Sequence, residues 1–508
     1  LLGIDPADPD DDLLDALWTI VSMPTWSNSA HLPGQDLPSL DLPSLDLLSC
    51  NSAVLLAECR ELLLPWLVTT GSDTLATTII TAIDRHILTP FSEGYTPWWA
   101  APNGIHNNWT GVCSAQILGA CLSLQHQGID RPIAKQRALE LCGAFFERCF
   151  TTDGTCDEGP GYWSYGVGTA CLHLMRLSPS EREAVISPQR LAQVADYPRR
   201  IHLYGDQFYA AGDATSTLKP NLTAVSWLAS ATASPWLADW CRAHHSADPT
   251  KPTKRVLADW RACHIDEFLA AAPSGNTSWQ AGADSDLPDL QIVIRHAGPA
   301  CATFAGGHNQ LSHNHNDVGH VNLSWNQQAI LIDQGKPDYT ADFFGPKRYD
   351  YRCASSLGHN VPVIAGQAQI PGRAAAASVC AGPDASGQTI DGTACYDSST
   401  GLKRWTRQLH LAEHAATITD SFTLPPTTAV ELRWWTLHQP TAIAGGLAIG
   451  PMQLQCSTGT LRCSQISSSD EQLVGFAPNT TLWCVHVDAV SADDGTLTLT
   501  STLSAAET

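Results

Sequence analysis

At 508 residues the chain is too long for one ordinary hydrophobic core, so two or three domains are expected. Its apolar fraction is that of a globular protein, and a formal net charge of −22 excludes a general nucleic-acid binder, which would need a basic face. No uninterrupted apolar run reaches bilayer-spanning length, so no membrane association is expected.

The chain opens with Leu1-Leu2-Gly3-Ile4-Asp5-Pro6, which lacks the basic start and apolar stretch of a signal peptide. The expected location is cytoplasmic, or periplasmic if a leader has been removed. A short local repeat, Leu37-Pro38-Ser39-Leu40-Asp41 then Leu42-Pro43-Ser44-Leu45-Asp46, carries prolines that disfavour helix and reads as an extended loop. Residues 54–64, 75–88, 110–126, 132–150, 187–197 and 256–272 place apolar side chains three and four apart, the spacing of helices with one buried face. Ser, Asp, Gly and Pro punctuate the joins. Residues 1–275 are therefore expected to form a helical (α/α) domain, an incomplete toroid of antiparallel helix pairs. Seventeen cysteines are scattered without a CxxC pair, many in apolar helical surroundings, and read mostly as reduced core residues. That usage leans towards a reducing compartment.

Past a polar linker at 272–286 the pattern changes. Residues 290–296, 329–332, 416–420 and 496–500 are short, alternating or β-branched runs separated by Gly and Pro turns. Residues 286–508 are expected to form an antiparallel β-sandwich of two packed sheets. The fold class is multidomain α and β, the helical domain first.

Chemistry-bearing residues concentrate in the β half. In Ser312-His313-Asn314-His315-Asn316-Asp317 the two histidines stand two apart, and a strand there would point His313, His315 and Asp317 to one side. With Asp333 and His359 downstream, His315 completes an N/N/O set suited to one zinc ion, and His313 would sit beside the metal, free for chemistry. In the helical half, His106-Asn107-Asn108-Trp109-Thr110 and Asp157-Glu158-Gly159-Pro160-Gly161-Tyr162-Trp163 are polar and aromatic clusters where loops meet helices, the usual seat of binding residues.

Taken in order, Asn107-Asn108-Trp109, Glu158-Gly159-Pro160-Gly161-Tyr162, His313-Asn314-His315-Asn316-Asp317, Asp333 and Gly358-His359-Asn360 resemble the motifs of the heparinase II/III-like polysaccharide lyases. The resemblance spans roughly residues 105 to 360. It implies β-elimination at a uronic acid: the C5 proton leaves, the bond to the C4 oxygen breaks, and an unsaturated sugar remains. It implies that Asn107 or Asn108 neutralises the carboxylate, that Tyr162 donates a proton, and that His313 or Tyr162 is the base according to the sugar's configuration. His315, Asp333 and His359 match the family's zinc ligands, one structural ion bracing the segment that carries His313.

The partner expected on this reading is an acidic polysaccharide or oligosaccharide, glycosaminoglycan or alginate in type. An acidic chain must meet it with a local basic patch, and Lys347, Arg348 and Arg352, interleaved with Tyr339, stand near the metal motifs. Trp109, Glu158 and Trp163 join them as expected substrate contacts. A homo-oligomer is compatible with the sequence. Plainer alternatives stand beside these assignments. Asn107 or Asn108 could cap the following helix, the basic residues could be a solvated face, and the tryptophans could be core. Two other functions also remain: a glycoside hydrolase using Glu158 and Asp157, and a non-catalytic glycan-binding protein that keeps the zinc brace.

Overall fold

The computed structural model describes residues 11–31, 44–69, 73–104, 106–210, 212–245, 264–274, 281–382 and 387–506. The opening residues, most of the proline-containing repeat, residues 256–263 of the last expected helix and much of the expected linker lie outside them. The chain divides into two compact units that interleave along the sequence. One gathers Leu1–Cys156, Tyr162–Asp196 and Lys219–Thr277; the other gathers Asp157–Gly161, Tyr197–Leu218 and Ser278–Thr508.

The first unit is helical. Helix Asn108–His126 packs against Leu47–Thr69 on one side and Pro132–Arg148 on the other. It is buried almost all round, from Asn108 through Leu124, because its sequence is apolar or small on every face. Two glycines allow the close packing: a Cβ at Gly111 would lie 2.8 Å from the Phe145 ring, and one at Gly119 would lie 2.4 Å from His173. The expected segment 75–88 is a helix over Asp73–Ile83 followed by a wider turn, Asp84–Leu88. Helices Asp11–Ser22, Pro160–Leu174, Leu222–Ala231 and Pro235–His244 were not anticipated. Leu222–Ala231 is apolar nearly throughout and so shows no amphipathic period to read. No described helix is long and apolar enough to cross a membrane.

The second unit is built on antiparallel sheets. An eight-stranded sheet has its long strands at Arg404–Ala412, Ala415–Thr423 and Thr496–Ala505; a four-stranded sheet is centred on Ala429–Thr436 and Thr481–Val490; a five-stranded sheet runs from Ser285–Leu287 to Gln328–Leu331. The expected two sheets are thus three larger ones and two two-stranded ones among the described residues. Side chains from all three, among them Phe304, Val321, Trp405, Ile418, Leu432 and Val485, share one apolar core, as stacked alternating strands require. Within that core Arg407 and Asp420 form a fully buried bidentate pair, with Nε–Oδ1 2.8 Å and Nη2–Oδ2 3.0 Å. The remaining Arg407 donor reaches the carbonyls of Gly319 and Asn360, tying the sheet to the segments beside His320 and His359.

Most of the sixteen described cysteines are buried. Burial pushes the Cys142 and Cys353 thiols up to about 12, so they pack as small hydrophobes rather than react.

Candidate active site around a histidine–aspartate cluster

Residues 312–317, read conditionally as a strand, do not form one; they make a turn and a loop. His313 has φ +56°, a left-handed conformation that costs a side-chain-bearing residue roughly 1–3 kcal/mol. The neighbouring segment 212–213 holds it there. The Asp213 N–H donates to the His313 carbonyl at 3.1 Å. A Cβ at Gly212, itself at φ +54°, would lie 2.1 Å from that carbonyl oxygen, so only glycine permits the approach. His313 and His315 still serve one site, but through a shared partner rather than a strand face.

That partner is Asp213, whose side chain is fully buried. Its Oδ2 lies 2.8 Å from His313 Nδ1, and its Oδ1 lies 3.0 Å from His315 Nε2 and 2.8 Å from Arg348 Nη2. The Tyr339 hydroxyl donates to Oδ2 at 3.4 Å. Burial alone would raise the Asp213 pKa, but the two histidines and Arg348 outweigh it and hold the carboxyl well below its usual range. Asp213 carried no catalytic expectation from sequence. Its one signal was a lone carboxylate after the apolar run Tyr209-Ala210-Ala211, and nothing there pointed 100 residues downstream.

On the far side of His315 lies the expected N/N/O set. One ligand atom from each of His315, Asp333 and His359 falls within 4.8 Å of the others. His315 Nδ1 and His359 Nε2 are buried without hydrogen-bond partners. Two orphaned imidazole nitrogens beside a carboxylate suit a borderline cation such as zinc. Burial would raise the Asp333 pKa, but His359, His320 and His315 override it and hold the carboxyl well below its ordinary range. His320, absent from the sequence expectations, is spoken for. Its Nδ1 accepts from the Asn360 N–H and its Nε2 donates to Asn322 Oδ1, and burial pushes its pKa down.

Asn360 clamps the pocket. It is fully buried, its Nδ2 donates to the Val321 and Ile332 carbonyls, and its Oδ1 accepts from the Trp435 N–H. One side chain thereby fixes the residue before Asp333 and the residue after His359.

Glu158 belongs to the same unit. It is nearly fully buried, and its Oε2 lies 3.9 Å from His313 Nε2, the ring nitrogen facing away from Asp213. Tyr339 is partly exposed and lies roughly parallel to the His313 ring at 6.3 Å; Phe344, 58% exposed, meets that ring edge-on at 6.2 Å. The basic residues expected at the substrate are paired within the protein. Arg348 is committed to Asp213 and to the Asn314 carbonyl, because a buried carboxylate needs a countercharge. Arg352 pairs with Glu471, and Lys347, exposed, pairs with Asp342.

In the helical unit, Asn107 caps helix Asn108–His126, its Oδ1 accepting from the Trp109 N–H at 3.0 Å. Asn108 is buried in the first turn. Trp109 is half-buried, against His31 and the exposed Trp98. Tyr162 is half-buried in the first turn of Pro160–Leu174. Trp163 is a correction. It is 1% exposed and its indole N–H bonds the Val194 carbonyl, so it offers no ring face to a sugar.

Comparison with known proteins places this geometry. Residues 284–506 match the family model described as heparinase II/III-like, C-terminal. No curated protein sequence matches the chain. A solved heparinase III superposes with a TM-score of 0.60 at 13% identity, covering 98% of this chain and 74% of that one. Heparan sulfate lyase HepC from Pedobacter heparinus gives 0.54 at 13%, covering 90% and 68%. A variant of the chondroitin AC lyase from Streptomyces coelicolor A3 gives 0.55 at 12%, covering 99% and 77%. At these identities the likeness is one of fold: a toroid-type helical region followed by an antiparallel β-sandwich. Residues 284–506 are thus similar to the C-terminal domain of the heparinase II/III-like proteins.

Proposed function

We propose that this protein is a polysaccharide lyase that cleaves uronic-acid-containing chains of glycosaminoglycan type by β-elimination. The observation that carries the reading is His313 held through Nδ1 by a buried carboxylate, beside a His/Asp/His pocket, within a heparinase II/III-like domain. A base tethered on one nitrogen and directed by the other is the arrangement general-base catalysis needs. The folds of a heparan sulfate lyase and a chondroitin lyase support the substrate class.

On this reading His313 Nε2 takes the C5 proton, and Glu158 favours the imidazolium that results. Tyr162, four residues after Glu158 in the sequence, donates a proton to the departing C4 oxygen. An asparagine amide steadies the negative charge that develops on the uronate carboxylate. Asn107 spends only its oxygen on the helix cap, which leaves its NH2 group to donate to a carboxylate; Asn107 or Asn108 takes that part. His315, Asp333 and His359 would hold one zinc ion, whose contribution when bound is to brace the turn carrying His313. Tyr339 and Phe344 would border the sugar beside the base.

The test is a panel of heparin, heparan sulfate, chondroitin, hyaluronan and alginate, followed by ultraviolet absorbance of the unsaturated product. Absorbance from at least one polymer, abolished in a Tyr162→Phe variant, is the expected result. No absorbance from any of them would overturn the reading.

A further inference from the structure

We infer that Asp213 is a positioning residue that sets the tautomers of His313 and His315 in opposite senses, making one ring a base and the other a metal ligand. The inference rests on the roles given to those two histidines above.

Its basis is the count of donors and acceptors around one carboxylate. Oδ2 faces His313 Nδ1 at 2.8 Å, and Oδ1 faces His315 Nε2 at 3.0 Å. Arg348 Nη2 stands 2.8 Å from Oδ1, a permanent cation that keeps the group ionised. An ionised carboxylate only accepts, so each ring nitrogen facing it must carry the proton. In a neutral imidazole the other nitrogen then holds the lone pair. For His313 that nitrogen is Nε2, the one turned towards Glu158. For His315 it is Nδ1, buried and without a hydrogen-bond partner, on the ring that offers one nitrogen to the cluster with Asp333 and His359. The two rings are thus held by opposite atoms of their imidazoles. Metal-ligating histidines commonly donate their second N–H to a carboxylate; here that same carboxylate also orients the neighbouring ring.

A merely structural ion bridge would tolerate an isosteric amide. Tautomer control would not. Asparagine offers one acceptor oxygen and one NH2, so one ring must face a donor and flip its proton to the wrong nitrogen.

The test uses the full chain with ¹⁵N-labelled histidine. Long-range proton–nitrogen correlations report which ring nitrogen carries hydrogen, with His313 and His315 assigned by single substitutions. The expected wild-type result is a proton on Nδ1 of His313 and on Nε2 of His315, with or without any polysaccharide activity. The Asp213→Asn variant is expected to reverse one of the two. In step with that reversal, zinc affinity by chelator competition should fall about 10–100-fold, or kcat should fall about 10²–10⁴-fold with KM little changed. Asp213→Ala, which removes the acceptors without supplying a donor, serves where the asparagine variant fails to fold. Opposite tautomers in the wild type would overturn the inference even if the enzyme cleaves polysaccharide. So would an Asp213→Asn variant with both tautomers, zinc affinity and kcat unchanged. The stated tautomers in a protein that cleaves nothing would sink the lyase reading and leave this inference standing.

Discussion

Asp213 and His313 stand 100 residues apart in sequence, yet Oδ2 of one lies 2.8 Å from Nδ1 of the other. The contact draws a short loop, residues 212–213, onto the turn that holds the two histidines. The site's geometry therefore depends on a close backbone approach as much as on the reactive side chains.

Gly212 is where that approach is most exposed to test. Gly212→Ala places a methyl group 2.1 Å from the His313 carbonyl at a positive φ. We expect a stability loss of at least about 1 kcal/mol and, because the loop must move and take Asp213 with it, about a 10²-fold loss in kcat. Urea denaturation alongside steady-state kinetics checks both. A variant with wild-type kcat would show that the base needs no support from this loop.

Metal removal tests the brace. If His315, Asp333 and His359 hold zinc at about 1,000 times its dissociation constant, the ion contributes about 4 kcal/mol to the folded state. Chelation should lower the thermal midpoint, and added zinc should restore it. His359→Ala should show the low midpoint from the start and no response to zinc. A chelator-insensitive melting curve, with no zinc bound after incubation in excess ion, would contradict the assignment.

The buried pair below the site makes a prediction about stability alone. Asp420→Ala leaves the Arg407 guanidinium buried with neither its carboxylate nor water, at a cost of about 3–5 kcal/mol. It should also loosen the Gly319 and Asn360 carbonyls that Arg407 holds. Replacing both partners, Arg407→Met with Asp420→Leu, should recover most of the loss. Chemical denaturation of the three proteins decides it; equal loss in the single and double variants would mean the pair is not what the core depends on.

What the sequence made legible follows from distance along the chain. Strands such as Ala415–Thr423 announce themselves by alternation, with every second residue buried. His315, Asp333 and His359 are readable as a group because their residue types suit one ion and they lie within a short stretch of one domain. The shape of residues 311–316 was not readable, because Gly212 and Asp213, from a distant segment, impose it. The pairing of Arg348 was not readable because its buried countercharge, Asp213, is 135 residues away. Trp163 looked like a sugar platform because sequence does not reveal which face of a helix an indole N–H can satisfy; here it is the inner one.

The most direct measurement of the central claim is cleavage in heavy-oxygen water, with products read by mass spectrometry. Elimination breaks the C4–O bond without adding water, so the account predicts an unsaturated product, no heavy oxygen in either fragment, and loss of this reaction in His313→Ala. Heavy oxygen at a newly formed reducing end would show hydrolysis and contradict it.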